Sequence, residues 1–495
     1  MSVAHVDPLE DDGNAEVVVL ERPDDPAVGK LAAQVARRIE AEVVRRGWPV
    51  GDSLGSEPDL RERHGVSRSV LREAVRLVEH HQVARMRRGP NGGLFVMAPD
   101  AGPAARAMVI YLEYVGTSVT DLMQARRLLE PLAAGLAAQH VTEEGIALVR
   151  RTVDAETVTD VPEDRTVETL HVVLGELSAN PVLRLFIDVL IRLTTRFSEP
   201  SGASPREFRR ARAEAIRYHA DIADAVIAGD SGKAEAGLAE YLDGVSAWMQ
   251  AHSRTASSGP ARPVAAPVQD DEPRAKLAEI VAGRLRDDIA ATGWPVGTVI
   301  GSESDLLTRY GISRAVLREA VRLLEYHSVA RMRRGPGGGL VVGTPDPQAS
   351  IDTMALYLEY MHVSGADLVA VRDAVELGMV SRVTARHDEP GVAERLDRAV
   401  RWIVDGPEDD QDKADHFHAE LAQLAGNPVL ALFLRILTEL WRRHSVSERA
   451  EAGPEARAEV EHVHRRITDA VLAGDEGLAR HRMRRHLAAL TEWWH

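Results

Sequence analysis

Through most of this chain, apolar residues recur every three or four positions. In DLMQARRLLEPLAAGLAAQ (121–139) and DLVAVRDAVELGMVSRVTA (367–385) they line one face, with Glu, Arg and Asp between them. That spacing predicts amphipathic helices. The pattern fills 101–253 and again 347–495, and each stretch has room for roughly six or seven helices in an all-α bundle. Ahead of each bundle the elements shorten. Ser56, followed by Glu57 and Asp59, reads as an N-cap with acids in the first turn. The short helix it starts runs to about His64, where Gly65 stops it. Ser67 caps a second helix, in which Val70, Leu71, Ala74, Val75 and Val78 form one apolar stripe and Arg68, Arg72 and Arg76 line another face. Two short helices about a glycine turn are a helix-turn-helix. Extended runs at 82–88 and 94–97 then flank Gly89-Pro90-Asn91-Gly92-Gly93, which predicts a β-hairpin. A hairpin in that place is the wing of a winged helix-turn-helix, and Arg85, Arg87 and Arg88 sit on it.

All of these elements occur twice. SRSVLREAVRLVEHHQVARMRRGPNGGLFV (67–96) and SRAVLREAVRLLEYHSVARMRRGPGGGLVV (313–342) agree at 24 of 30 positions, with an offset of 246. KLAAQVARRIEAEVVRRGWPVG from Lys30 answers KLAEIVAGRLRDDIAATGWPVG from Lys276, and ANPVLRLF answers GNPVLALF. A period this long is a duplicated two-domain unit, not a solenoid. The expected order is an acidic tail (1–28), a winged helix (29–100), a bundle (101–253), a linker (254–274), a second winged helix (275–346) and a second bundle (347–495). The linker, RTASSGPARPVAAPVQDDEPR, is rich in Pro, Ala and Ser and has no helical period. The fold class is therefore mainly α, with two small hairpin wings.

Composition narrows the chemistry. The chain has no cysteine, which excludes disulfides, thiolate metal sites and cysteine nucleophiles. No apolar run approaches the ~18 residues of a membrane helix, and the acidic N-terminus lacks a signal pattern, so the expected location is the cytoplasm, at the nucleoid, with no membrane partner. Net charge is −16, yet both winged helices are basic islands. Residues 56–98 hold eight Arg against five acids, and 302–344 hold seven against four, a surplus of three in each. A guanidinium reads guanine bidentately or holds phosphate. The N-terminal end of the second helix is the part that enters a major groove, led by Arg68 and Arg72 and, in the second copy, by Arg314 and Arg318. The expected partner is a double-stranded DNA operator.

The segment GSEPDLRERHGVSRSVLREAVRLVEHHQVARMRRGPNGGLFV resembles the DNA-binding domain of GntR transcription regulators. The resemblance places DNA contacts on Arg68, Arg72, Arg88 and Gly92, and on Arg314, Arg318, Arg334 and Gly338. This chain departs from the family pattern before and after the SE pair. Gly55 and Gly301 stand where a proline is usual, and Pro58 and Ser304 where a basic residue soon follows. No contact is carried over at that place.

Each bundle resembles the FCD effector domain of the FadR-type branch. The resemblance implies a metal held by three His and an Asp, with a small carboxylate ligand on the metal. In the second half the matching residues are His418, His464 and His486, with Asp415 three residues before the first His. Imidazole and carboxylate donors suit Zn, Ni or Mn. In the first half the positions hold His171, His219 and Tyr241, with Val167 and Glu168 at the acid position. An apolar or structural pocket is expected there. Arg126 and Arg372 occupy matching places on the first bundle helix. Each can meet an effector carboxylate, or pair with Glu130 or Glu376 four residues on. An acyl-CoA is the alternative class of effector.

A single winged helix covers few base pairs, so two are normally brought together on one DNA. The duplication predicts a covalent pseudo-dimer, with the second half held near the first at ~mM effective concentration, and with further homodimerisation left open. Asymmetric half-sites and one effector site per chain follow, in a repressor that its ligand releases. Two rival readings are a metal-dependent hydrolase built on the three His, and a non-specific architectural DNA protein. The first leaves the duplicated winged helix unexplained and the second conflicts with net charge −16.

Overall fold

A computed structural model describes residues 26–89, 91–99, 101–157, 169–197, 204–252, 274–333, 335, 337–406, 413–445 and 454–491. The chain divides into two compact units after Pro99.

The first unit holds α1 (Pro26–Arg45), β1 (Ser53–Gly55), α2 (Glu57–His64), α3 (Arg68–His80), β2 (Ala84–Arg87) and β3 (Gly93–Val96). Residues 26–28 thus begin a helix where the sequence suggested the end of a tail, and Pro26 suits a first helical turn, where a missing N–H costs nothing. The cap signals hold. Ser56 and Asp59 form a reciprocal capping box, and Gly65 closes α2 at φ 63°. The apolar stripe of α3 is buried from Val70 to Val78, where α3 packs against α1 and β2; Val35, Ile39 and Val43 of α1 and Leu94 and Val96 of the sheet are buried too. The wing is a three-stranded sheet of order β1-β3-β2, antiparallel, with Ala84 opposite Val96 and Arg87 opposite Gly93. β1 was not expected. It is three residues long and pairs with β3 through a bulge between Ser53 and Gly55, too short and irregular to show an alternating pattern.

The second unit begins with a bundle of seven helices: α4 (Ala101–Tyr114), α5 (Val119–His140), α6 (Glu143–Thr157), α7 (Thr169–Leu177), α8 (Pro181–Phe197), α9 (Pro205–Ile227) and α10 (Ser231–His252). The second winged helix follows as α11 (Arg274–Ala291), β4 (Val299–Gly301), α12 (Glu303–Tyr310), α13 (Arg314–Tyr326), β5 (Ala330–Arg333) and β6 (Gly339–Val342). Arg274 opens α11 rather than closing the linker. Seven more helices complete the unit: α14 (Pro347–Tyr360), α15 (Gly365–Thr384), α16 (Val392–Asp405), α17 (Lys413–Ala425), α18 (Pro428–Ser445), α19 (Pro454–Leu472) and α20 (Glu476–Thr491).

The two bundles share one apolar core, and matching residues meet across it. Phe186 of α8 stacks on Phe433 of α18 with ring centroids 3.8 Å apart and an interplanar angle of 9°. Asn180 caps α8, its Oδ1 accepting from the Val182 and Leu183 N–H groups, while its Nδ2 donates across to the Asp367 carbonyl at 3.0 Å. Asn427 does the same for α18 and donates to the Asp121 carbonyl, also at 3.0 Å. A contact from i to j answered by one from the counterpart of i to the counterpart of j is the signature of a two-fold interface. The NPVL motif therefore has two duties: helix N-cap and inter-bundle donor.

One packing relation crosses the boundaries drawn from sequence. Ile110 of α4 belongs to the core of the second winged helix, and Tyr114 meets Trp294 edge-on at 5.6 Å. Periodicity shows that α4 has more than one apolar face but not which neighbour each face takes.

Candidate functional site

Each winged helix presents its arginines in the same way. Ser67 accepts from the Val70 N–H at 3.3 Å, which starts α3 at Arg68 and places Arg72 one turn on. Both side chains are exposed, and Glu57 of α2 reaches them. Its Oε1 accepts from Arg68 Nε at 2.7 Å and lies 3.4 Å from Arg72 Nε. The hydrogen bond from Arg68 leads in holding the Glu57 pKa below the usual carboxylate value. An exposed pair of this kind is worth about 0–1 kcal/mol, so its effect is to aim the guanidinium groups. In the second copy Glu303 Oε1 lies 3.9 Å from Arg314 Nε and 4.0 Å from Arg318 Nη2. Arg76 and Arg322 pair with Glu73 and Glu319 on their own helices at 2.9 and 3.0 Å, as a solvated face would.

At the first wing Arg88 is exposed. Gly92 closes the turn by donating to the Gly89 carbonyl at 2.9 Å, and a Cβ on Gly92 would come within 2.5 Å of the Arg87 carbonyl. Gly338 donates to Gly335 in the same way, at 2.9 Å. Arg334 lies outside the described residues. Arg87 lies over the Phe95 ring at 4.4 Å and Arg333 donates to the Gly337 carbonyl at 2.9 Å, so these two arginines brace their own wings.

In the second bundle α17, α19 and α20 bring His418, His464 and His486 together, all buried, with ligand atoms within 4.8 Å of one another. His486 Nε2 lies 3.2 Å from His418 Nε2 and 3.2 Å from His464 Nε2. Burial, and then the neighbouring His418, push the His486 pKa down to about 3; burial and both neighbours hold His464 well below its ordinary value. Both are neutral at ordinary pH, the form that ligates a metal. Behind His418, Glu376 of α15 accepts from Nδ1, and Arg372 Nε donates to Glu376 at 2.6 Å. That arrangement leaves the His418 Nε2 lone pair facing the other two rings, as in metal sites whose histidines are held by a carboxylate. Asp415 is partly buried on α17 and is not among the three convergent donors; its charge helps keep Arg372 protonated against the opposing effect of burial. The donor set fits a divalent transition metal.

In the first bundle the same triangle is kept with different chemistry. Ring centroids of His171, His219 and Tyr241 lie 5.1, 5.4 and 4.8 Å apart. Those of His418, His464 and His486 lie 5.4, 5.2 and 4.7 Å apart. Glu130 accepts from His171 Nδ1 at 2.6 Å and from Arg126 Nε at 2.5 Å, the counterpart of the Glu376 arrangement. Glu156 of α6 faces His219 Nδ1 at 2.7 Å. Val167 and Glu168 lie outside the described residues.

Family models decide the identity. The model described as "Bacterial regulatory proteins, gntR family" matches residues 31–96 and 277–340, and the FCD domain model matches 121–244 and 367–489. The chain belongs to the GntR family.

Among GntR relatives, the Uxu operon regulator of Haemophilus influenzae is 25% identical over 162 residues, which cover 32% of this chain and 58% of that protein. The transcriptional repressor NanR of Escherichia coli is 23% identical over 232 residues, 46% of this chain and 87% of NanR. A solved GntR structure from Streptococcus agalactiae covers 44% of this chain and 99% of its own, at 21% identity and a TM-score of 0.33. These matches are to DNA-binding regulators and not to enzymes, and no helix among the described residues is long and apolar enough to cross a membrane.

Within this GntR chain the candidate residues sort by place. Arg68, Arg72, Arg314 and Arg318 lie exposed at the starts of two matched helices. The three His of the second bundle converge. Arg126 and Arg372 are buried and committed to Glu130 and Glu376, so the intrahelical pairing is what the geometry supports. Sequence reasoning took Glu57 only as a first-turn acid, though it pairs with Arg68 and Arg72, and passed over Glu376 as the anchor of His418. The last was signalled only by its i, i+4 spacing from Arg372.

Proposed function

We propose that this GntR regulator is a ligand-released repressor in which one chain supplies both DNA readers and a single effector site. The observation that carries this reading is the contrast between the two buried triangles. Three imidazoles converge in the second bundle, while a phenol takes the third place in the first. His418, His464 and His486 would hold a divalent metal such as Zn, Ni or Mn, which when bound supplies a Lewis-acidic seat for a small carboxylate effector. Glu376 and Arg372 keep His418 oriented. An effector shifts operator affinity only as far as it binds the two states of the protein differently, and the core shared by the two bundles is the path along which a change in one reaches the other. The reciprocal contacts of Asn180 and Asn427 support a pairing inside one chain, with no need for a second.

Native mass spectrometry with calorimetry tests this. One metal and one effector per chain, lost together with ligand-dependent operator release when His418 is changed to Ala, is the expected result. Two equivalent effector sites per chain, or release that survives chelation and H418A, would refute it. A co-purified acyl-CoA in place of a carboxylate would reassign the effector class.

A further inference from the structure

Within one chain, the two DNA readers can be compared position by position. α3 reads RSVLREAVRLVEH and α13 reads RAVLREAVRLLEY. Three of thirteen positions differ. Val78 and Leu324 are buried, at 0% and 2% exposure, and cannot touch DNA. His80 and Tyr326 are the last residues of their helices, far from the N-terminal turns that meet bases. The remaining difference is Ser69 against Ala315, the second residue of each helix, directly after Arg68 and Arg314. Ser69 is exposed and Ala315 half-buried. The caps are the same: Ser67 accepts from the Val70 N–H and Ser313 from the Val316 N–H, each at 3.3 Å. The two helices therefore start at the same place and offer the same arginines.

Ser69 and Ala315 differ in what they bring to a base edge. The Ser69 hydroxyl lies 2.9 Å from Ser67 Oγ, which holds it at the helix start. A hydroxyl both donates and accepts and turns about its bond to Cβ, so it can exchange a contact within the helix start for one to a base edge. Ala315 has only a methyl, whose complement in the major groove is the C5-methyl of thymine. Val66 against Ile312 keeps an aliphatic residue in the turn; Pro58 against Ser304, Arg61 against Leu307, Glu62 against Thr308, His64 against Tyr310 and Asn91 against Gly337 also differ between the copies. They stand on α2 and α12 and at the wing tips, which in such domains meet the backbone or the minor groove and set affinity more than major-groove sequence.

We infer that the operator consists of two half-sites alike at every base pair read by arginine and different at the single base pair facing residue 69 or 315. The Ala315 half-site carries thymine there, and the Ser69 half-site carries a base that exchanges a hydrogen bond with the hydroxyl. Ser69 and Ala315 are thus the residues that set the polarity of the chain on its operator. This rests on both winged helices of one chain sitting on one DNA.

The test is selection from a DNA library with both half-sites randomised, using the full-length wild type, Ser69→Ala and Ala315→Ser, with native mass spectrometry of the selected complexes. The wild type is expected to enrich half-sites differing at one base pair, with thymine on one side. S69A is expected to enrich two identical thymine-bearing half-sites and to bind the wild-type operator roughly three- to tenfold more weakly, the size of one neutral contact. A315S is expected to enrich the other identical pair. Both substitutions leave the capping side chains Ser67 and Ser313 in place, and S69A removes only the Ser69 hydroxyl from beside Ser67 Oγ. Half-sites that are identical for the wild type, that differ at several positions, or that do not move in S69A and A315S would overturn the inference while leaving one chain per operator. Two chains per operator would overturn the paired-reader reading, and this inference with it.

Discussion

The two halves of this chain have kept one site and changed the other. The DNA readers repeat the same caps, the same arginines and the same acid, Glu57 or Glu303, beside them. The sensor triangles repeat their spacing but not their donors. His486 faces His418 and His464, while Tyr241 faces His171 and His219. In a homodimer of identical chains one substitution alters both pockets. In a fused pair each pocket varies alone, whereas under the proposed function both readers answer to one DNA. The difference teaches where the side-chain chemistry of the two copies has parted most: in the interior of the first bundle, more than at the arginines that start α3 and α13.

The largest effect expected from breaking this contrast comes from exchanging its third member. His486→Ala removes one of three convergent nitrogens and should lower metal affinity by more than roughly a hundredfold, since even an outer carboxylate commonly contributes 10–100-fold. Tyr241→His should create a second site, because His171 and His219 already have carboxylates behind their Nδ1 atoms. Metal analysis is expected to give zero, one and two ions per chain for H486A, wild type and Y241H. A Y241H chain that still holds one ion would show that Glu156, and not the phenol, keeps the first bundle from binding metal.

The carboxylates behind the histidines sharpen the contrast. Glu130 and Glu376 each join a buried Arg to a His, and in each case the carboxyl pKa lies far below its ordinary value, the positive partners prevailing over burial. Glu130→Gln or Glu376→Gln leaves a buried guanidinium without its counter-charge, a loss of about 3–5 kcal/mol. Denaturant melts should show similar losses for both. Only E376Q should also weaken metal binding, by roughly 10–100-fold. Equal metal affinity in E376Q and wild type would mean that Glu376 is structural, as Glu130 is expected to be.

Much of this was legible in sequence because it depends on local physics. Ser56, Gly65 and Ser67 mark helix ends by their own hydrogen bonds and backbone preferences, and Val70 to Val78 mark a buried face by spacing. The repeat exposed the duplication directly. What sequence did not show depends on partners far along the chain. Glu156 meets His219 from 63 residues away, and Asn427 meets Asp121 from 306 away. Ile110 was assigned to the bundle that its helix belongs to, though it packs into the second winged helix. Asp415 looked like a ligand because three residues separate it from His418. Spacing along a helix does not fix which way a side chain leans, and Asp415 is not among the convergent donors.

The smallest predicted effect reaches the readers, where one buried-side difference remains. In the first winged helix Glu40 faces His81 Nδ1 at 2.6 Å, so a charged imidazole there has a counter-charge. The aligned position in the second copy is Arg286. Burial, then Arg106 of α4, then Arg286 push the His327 pKa down to about 4. The unfolded chain takes up this proton near pH 6.5 and the folded chain only near 4. Between those values the unfolded state binds more protons, so stability is fully present above about pH 6.5 and falls as pH drops toward 4. The loss is on the order of 2 kcal/mol, since water at the half-buried ring trims the full shift. Thermal melts of the full chain between pH 4 and 7 should show an acid loss to which the buried His464 and His486 also contribute, and His327→Gln should remove the His327 share of it. Arg286→Glu, which places an acid beside His327, should also reduce that share. An acid loss that persists unchanged in H327Q and R286E would place its origin outside the docking of the second winged helix on α4.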